Sequence, residues 1–400
     1  MTPCILPWIN FGTNVFGRSR ACGYSKIKSE NKLENSSILQ EWNNKNFREI
    51  RRDFLADKWP KNCSHCQYVE EQGGVSKRLE ENKRNYDKYR HLIAATSSDG
   101  TCNYSPPHID IRTGNICNLK CIHCGTGVSS KWKEDKELLG KYSNTENYNI
   151  DNKWIERDSE FWDHLRSLMG QTQKYNFLGG ESFANKQHNK FLKDLSQSEY
   201  AKSVFVSYTT NAVLLNLGKL EQLNKFGKVQ IRISIDAISD PLEYFRFPIK
   251  WQELLKQLRF INDYVDGKGN FEVLAQWTCS NISIFYLVET YDFIRNNFPN
   301  IEFAFCDYVR WPLHMSAQVL PTDLKLKIQE KINSYAFKQE DSIKYPFYIN
   351  HMLEKDLWIE QGNILLQYLD DLDNVRNISW KNSFKEMHLG KYKTPKDNSR

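Results

Sequence analysis

The 400-residue sequence contains no run of about 18 apolar residues, so no part of it reads as a membrane-spanning helix. Met1 to Asn10 lack a basic stretch ahead of an apolar one. No signal peptide is read there, and the expected location is the cytoplasm, with no membrane partner. Lysine and arginine never gather in a block of five or more, and the net charge is only +6. That charge permits an anionic ligand, but the electrostatic footprint of a nucleic-acid binder is missing, so nucleic acid is not expected as a partner. Internal repeats and low-complexity tracts are absent too. With 40% hydrophobic and 26% charged residues, the chain is neither disordered, nor a fibrous repeat, nor a disulfide miniprotein. Its length suggests two or three domains, and its 13% aromatic content reads as a well-packed core.

Cysteine is present in quantity, ten in all, and it is grouped. Cys4, Cys22, Cys63 and Cys66 lie in the first seventy residues, Cys117, Cys121 and Cys124 form a tight triplet, and Cys102, Cys279 and Cys306 stand alone. In a long cytosolic chain such groups are metal ligands or catalytic thiols before they are disulfides.

The pattern along the chain fixes an expected architecture. Residues 1–93 read as loop-rich, apart from a charged helix over 76–91 that follows a break at Gly73-Gly74. A linker is placed over 94–107. From there apolar alternation gives strands at 108–112, before Gly179-Gly180, and at 203–211, 229–237, 271–278 and 301–308. Helical patterns fall near 157–169, 184–197, 217–226, 249–265 and 283–297. Six strands alternating with helices imply parallel βα units, two short of a closed eightfold barrel, so the expected fold class is α/β, an open partial (β/α)6 barrel over 107–310. Helices near 321–337 and 351–372 make 311–400 a helical C-terminal extension, ending in a polar tail.

The triplet has the spacing C-x3-C-x2-C and follows the first strand, at the strand end where βα barrels place their active sites. Three thiolates can hold three irons of a [4Fe–4S] cube and leave the fourth open to a small molecule. The alternative is structural zinc, which wants four ligands. Zinc would pair Cys63/Cys66 with a distant Cys121/Cys124 and leave Cys117 over.

These residues resemble the radical S-adenosylmethionine (SAM) superfamily over roughly 107–310. The resemblance implies that Gly179, Gly180 and Glu181 form the family's GGE motif, which contacts the amino group of the SAM methionine. It implies that Ser234 and Asp236 occupy positions that contact ribose and carboxylate, and that Thr209, Thr210 and Asn211 end a strand facing the same mouth. Many members carry an aromatic residue just before the third cysteine, against the adenine; this chain has His123. Cys4, Cys22, Cys63 and Cys66, with "CILPW" at the start and "CSHCQYVEEQGG" before the barrel, look like the twitch or SPASM-type region that binds an auxiliary [4Fe–4S] cluster. That region normally follows the barrel and here precedes it. Relatives often have a Cys-Cys pair where this chain has Ala21-Cys22. A closed four-cysteine zinc site is the competing reading.

The resemblance further implies the activity. An electron delivered by a donor such as flavodoxin or ferredoxin reaches the open cluster, SAM is cleaved to methionine and a 5′-deoxyadenosyl radical, and that radical takes hydrogen from a substrate. A peptide or protein is the first reading of the substrate, and a small molecule such as a sugar or nucleoside the second. Cys306, on the sixth strand, could donate a hydrogen atom; the plain alternative is a small core residue. A different class of reading is a non-catalytic module that binds zinc and a partner.

Overall fold

The computed structural model of the chain describes residues 2–25, 32–71, 74–142, 153–156 and 159–392. Gly73, the first residues of the 157–169 helix and the tail beyond 392 lie outside them. The fold is mixed α/β around a mostly parallel sheet of eight strands. They are β1 (Asn10–Thr13), β2 (Ser19–Arg20), β3 (His108–Arg112), β4 (Lys174–Leu178), β5 (Phe205–Thr210), β6 (Lys228–Ser234), β7 (Phe271–Cys279) and β8 (Glu302–Tyr308). Their hydrogen-bonded order is β2-β1-β3-β4-β5-β6-β7-β8. The six strands read from the sequence are β3 to β8. Alternation made them legible because each buries every second side chain, as Ile109 and Ile111 do in β3.

β1 and β2 are additions to the sequence reading. Each is too short, and too rich in polar residues and glycine, to show a period of two. They exist through pairing. Asn10, Phe11 and Gly12 lie beside His108, Ile109 and Asp110 in parallel register, and Gly12 and Thr13 pair antiparallel with Arg20 and Ser19. The N-terminal segment is thus more regular than loop-rich. Ser37 caps the helix Ile38–Trp42 through a capping box with Gln40, and Asn44 caps Lys45–Leu55.

The chain packs as two compact units. The first comprises Met1–Ile116, Asn149–Tyr208 and Leu217–Gln230. Its N-terminal part closes around Arg51, which is fully buried. The guanidinium donates to the carbonyls of Pro7, Trp42 and Gly100 and to Asn43 Oδ1, and lies 4.2 Å from the Trp42 ring centroid. A planar group with five donors can satisfy this many acceptors, where a lysine could not. The second unit comprises Cys117–Tyr148, Thr209–Asn216 and Ile231–Arg400. It contains β7 and β8, which pair in parallel, and the C-terminal helices, including Tyr345–Glu354 and Trp358–Arg376, where the sequence pattern predicts one helix over 351–372. The longer of these stops where Asn377 turns left-handed at φ 52°. Among the described residues, no helix is long and apolar enough to cross a membrane.

Candidate functional site

The second unit gathers the cysteine triplet. Its loop is stitched to residues 245–247: Lys120 N donates to Phe247 O at 2.8 Å, and Ile122 N to Phe245 O at 2.9 Å. Within it Cys124 N donates to Cys121 O at 2.9 Å, a tight turn that keeps these two cysteines on one side. Cys117 N is bound by Ser130 Oγ at 3.3 Å. The Cys121 thiol is held below its ordinary value, first by a hydrogen bond from Cys124 and then by the charge of Arg246, while the Cys121 partner and burial push the Cys124 thiol well up. Of the two, Cys121 is the more readily ionised, and the thiolate is the form that ligates metal.

Arg246 is a residue that sequence reasoning misses. Its Nη1 lies 3.9 Å from Cys121 Sγ, and its Nη2 forms an ion pair of 2.6 Å with Asp236. Asp236, expected at the mouth, follows the end of β6 and is fully buried in this pair. Ser234 is the last residue of β6 and is half-buried. Thr209 and Thr210 end β5, and Asn211 follows it. Asn211 Nδ2 donates to Asn118 Oδ1 inside the triplet loop at 2.7 Å, so that residue is brought to the cysteines. His123 packs against Phe245 with ring centroids 4.9 Å apart, and burial lowers its pKa to about 4. A neutral imidazole, tilted 33° against the Phe245 ring, follows.

The first unit carries the Gly-Gly-Glu segment, and here the glycines serve the backbone. Gly180 N donates to Gly114 O at 3.0 Å and Glu181 N to Ile116 O at 2.6 Å. A Cβ on Gly180 would lie 2.2 Å from Ile116 O, and Gly179 takes φ +127° with Gly114 O 2.7 Å from its own missing Cβ. The segment is thereby locked to Gly114–Ile116, the three residues that lead into Cys117. Glu181 is buried and caps the following turn through Phe183 N at 3.3 Å. Gly180→Ala is expected to force this approach open and to lower stability by about 1–3 kcal/mol; urea unfolding checks it.

The four N-terminal cysteines also converge in the first unit. One pocket is lined by Cys4, Cys22, Cys63, Cys66, Tyr24 and Trp59. Burial raises the Cys4 thiol well up, and the three other cysteines add to it; Cys63 is pushed up to about 12 by burial and then by Cys22 and Cys66. Thiols that raise one another in a shared buried pocket become thiolates together only when a positive centre joins them. The donor set therefore fits a thiolate-bound metal centre, as the triplet does. Among the described residues, no group of three or more His, Cys, Asp or Glu side chains is arranged to hold a single metal ion. A four-iron cluster takes one thiolate per iron and so spreads its ligands over several metals.

The single cysteines differ from one another. Cys279 ends β7 and is fully buried. Cys102 is buried, with its backbone N–H and carbonyl both bonded to Asn43. Cys306 lies on β8 and is exposed; burial of its sulfur and then Asp307 raise its thiol to about 11.

The sequence reading also missed a polar row across the first unit's strands. Register aligns Arg20, Gly12, Asp110, Asn176 and Ser207. Gly12 leaves room for the Arg20 side chain to lie over it, with Arg20 Cγ 3.4 Å from the missing Cβ. Arg20 Nη2, Asp110 Oδ1 and Asn176 Oδ1 are buried without a hydrogen-bond partner among the described residues. Burial raises the Asp110 carboxyl above its ordinary value. The alternation in "HIDIR" was the available signal, read for its apolar half only.

Residues 111–274 match the Radical SAM superfamily. This segment is similar to a radical SAM domain, which implies an enzyme with a [4Fe–4S] cluster and SAM as its cofactors. No curated protein matches the chain. Among solved structures, hexahistidine-tagged anSMEcpe with bound AdoMet is similar at 17% identity, covering 58% of this chain and 59% of that one, with a TM-score of 0.37. Streptococcus suis SuiB bound to its precursor peptide SuiA gives 17% identity, 75% and 64% coverage and a TM-score of 0.36. The same protein bound to S-adenosylmethionine gives 16%, 72% and 62%, and 0.34. The chain thus spans less than two thirds of each of these structures' own length. The matched segment holds the triplet, the Gly-Gly-Glu segment, Asn211, Asp236 and Arg246; the four N-terminal cysteines lie outside it.

Proposed function

We propose that the chain reductively cleaves SAM at a [4Fe–4S] cluster held by Cys117, Cys121 and Cys124 and directs the resulting radical onto a peptide or protein. The observation that carries this reading is the Cys121 sulfur beside Arg246, in a triplet whose leading residues are pinned to a Gly-Gly-Glu segment. The bound cluster and SAM supply electron transfer and a carbon radical that abstracts hydrogen. The protein's own residues bind and orient. Gly179, Gly180 and Glu181 receive the methionine amino group. Thr209, Asn211 and Ser234 contact the ribose and carboxylate, Asp236 acts there through Arg246, and His123 faces the adenine. Functionally, the chain divides into an auxiliary-cluster segment over 1–93, the catalytic barrel over 107–310 and the helical extension over 311–400.

Cys4, Cys22, Cys63 and Cys66 hold a second [4Fe–4S] cluster in a twitch- or SPASM-like region. The shared pocket, in which burial raises the Cys4, Cys22 and Cys63 thiols, supports it. A peptide or protein substrate follows from the resemblance to radical SAM proteins that carry an auxiliary cluster. One of the SuiB structures is bound to a precursor peptide, a ligand of the same class. Cys306, its thiol raised to about 11, is the hydrogen-atom donor to a substrate radical in this reading. A flavodoxin- or ferredoxin-type donor supplies the electron, and the cytoplasm is the expected setting.

The test is iron and sulfide content after anaerobic reconstitution, with EPR spectra before and after adding SAM. About eight irons, and a signal that shifts with SAM, are expected for two cubes, one of them open. Zinc without iron would overturn the reading. Cys63→Ala is expected to lose about half the iron while the SAM-dependent shift persists. Retention of all the iron in that variant would remove the second cluster from those cysteines.

A further inference from the structure

The C-terminal helix Trp358–Arg376 has no part in the chemistry described so far, yet it belongs to the same unit as the triplet and makes two buried attachments to the triplet loop. Tyr368 Oη donates to the carbonyl of Ile122, between Cys121 and Cys124, at 2.7 Å. Eight residues on, Arg376 Nε reaches Asp135 Oδ2 at 3.3 Å, and the other oxygen of Asp135 accepts from Lys120 Nζ at 2.7 Å, immediately before Cys121. Arg376, Asp135 and Lys120 form a buried charged triad. The Arg376 guanidinium also lies 4.5 Å from the Trp132 ring centroid and 5.0 Å from that of Phe247. Trp132 Nε1 in turn donates to Cys121 O at 3.2 Å, and Phe247 O accepts from Lys120 N. Tyr368 and the groups that Arg376 covers thus hold a backbone amide or carbonyl at each of Lys120, Cys121 and Ile122.

We infer that this helix is a positioning element for the cluster loop: Tyr368 and Arg376 hold the Cys121–Cys124 turn in the shape that presents its sulfurs to iron. Groups that orient metal ligands from outside the ligand set commonly change metal retention by about 10- to 100-fold when removed. The turn is short, and three thiolates must meet one cube without a fourth to correct an error of placement. Tyr368 is itself fixed by ring contacts with His314 at 4.6 Å and Tyr142 at 4.9 Å. Tyr142 Oη donates to Asp371 on the same helix at 2.6 Å, so its ring and hydroxyl both pack there. The catalytic loop and the C-terminal extension thus form one mechanical part, although Tyr368 and Ile122 are 246 residues apart in sequence.

The inference rests on the triplet holding a cluster, and the experiment separates the two. Full-length wild type, Tyr368→Phe, Arg376→Met and, as a control on the same helix, Leu372→Ala are reconstituted anaerobically. Leu372 is fully buried and takes part in none of the bonds above, so its truncation reports loss of helix packing alone. Two quantities are read: the rate of iron release to a chelator, and the midpoint potential of the SAM-responsive EPR signal. Tyr368→Phe and Arg376→Met should release triplet iron at least about tenfold faster and shift the potential. Leu372→Ala should lower thermal stability with neither change. Iron release and potential unchanged in Tyr368→Phe would overturn the inference, as would equal changes in Leu372→Ala. A wild type with no SAM-responsive iron would overturn the underlying reading as well.

Discussion

Cys121→Ala is expected to strip the triplet site of iron and to abolish SAM cleavage, while any iron at the four N-terminal cysteines remains. The effect is all-or-none because a cube bound by three thiolates has no spare ligand. Within the triplet, the Cys124 hydrogen bond and then the charge of Arg246 hold the Cys121 thiol below its ordinary value, against the effect of burial. Alanine takes away the sulfur that faces Arg246 and, with it, the hydrogen bond that is the largest cause raising the Cys124 thiol. Production of 5′-deoxyadenosine, followed by chromatography, and iron per chain check the result. Wild-type levels of 5′-deoxyadenosine in this variant would sink the assignment of the triplet. Cys63→Ala read in parallel distinguishes the sites, since the two substitutions should remove different halves of the iron.

The parts of this site that were legible in the sequence are those whose chemistry depends on spacing. C-x3-C-x2-C places three sulfurs within one loop whatever surrounds it, and strict alternation in "HIDIR" or "VQIRIS" marks a half-buried strand. Gly179-Gly180 was legible as a close approach, but the approach is to the backbone of Gly114–Ile116, which no local pattern reveals. The rest depends on chain segments distant in sequence. β1 and β2 are stabilised by register with β3 and with each other, not by a period of their own. Arg246 sits at the end of a helix, Ser239–Phe245, whose pattern reads as an ordinary amphipathic turn. Only the fold sets it between Asp236 and Cys121. Tyr368 and Arg376 are separated from the cysteines by most of the chain. An arginine or tyrosine on a helix is by default a solvated or core residue, so composition offered no reason to single them out.

Arg246→Met should show how far the buried charge matters. Arg246 and Asp236 are 2.6 Å apart, with side chains 8% and 0% exposed. Removing one partner of such a pair leaves the other charged and dry, a loss of about 3–5 kcal/mol in stability. Thermal or urea unfolding of the reconstituted variant measures it. Replacing both, in Asp236→Leu with Arg246→Met, should recover much of that loss, because an apolar pair of similar volume carries no desolvation cost. The cluster should not recover with it. Arg246 Nη1 is 3.9 Å from Cys121 Sγ, and of the two charges the arginine acts on that sulfur more strongly. A cation near a cluster sulfur stabilises the reduced, more negative form, so its removal should make the cluster harder to reduce. The double variant, folded but with a more negative midpoint potential than wild type, would separate the electrostatic role of Arg246 from its structural one. A double variant with wild-type potential would reduce Arg246 to the ion-pair partner of Asp236. Because SAM cleavage begins with one electron entering the cluster, the rate of 5′-deoxyadenosine formation at limiting reductant should fall in step with that potential.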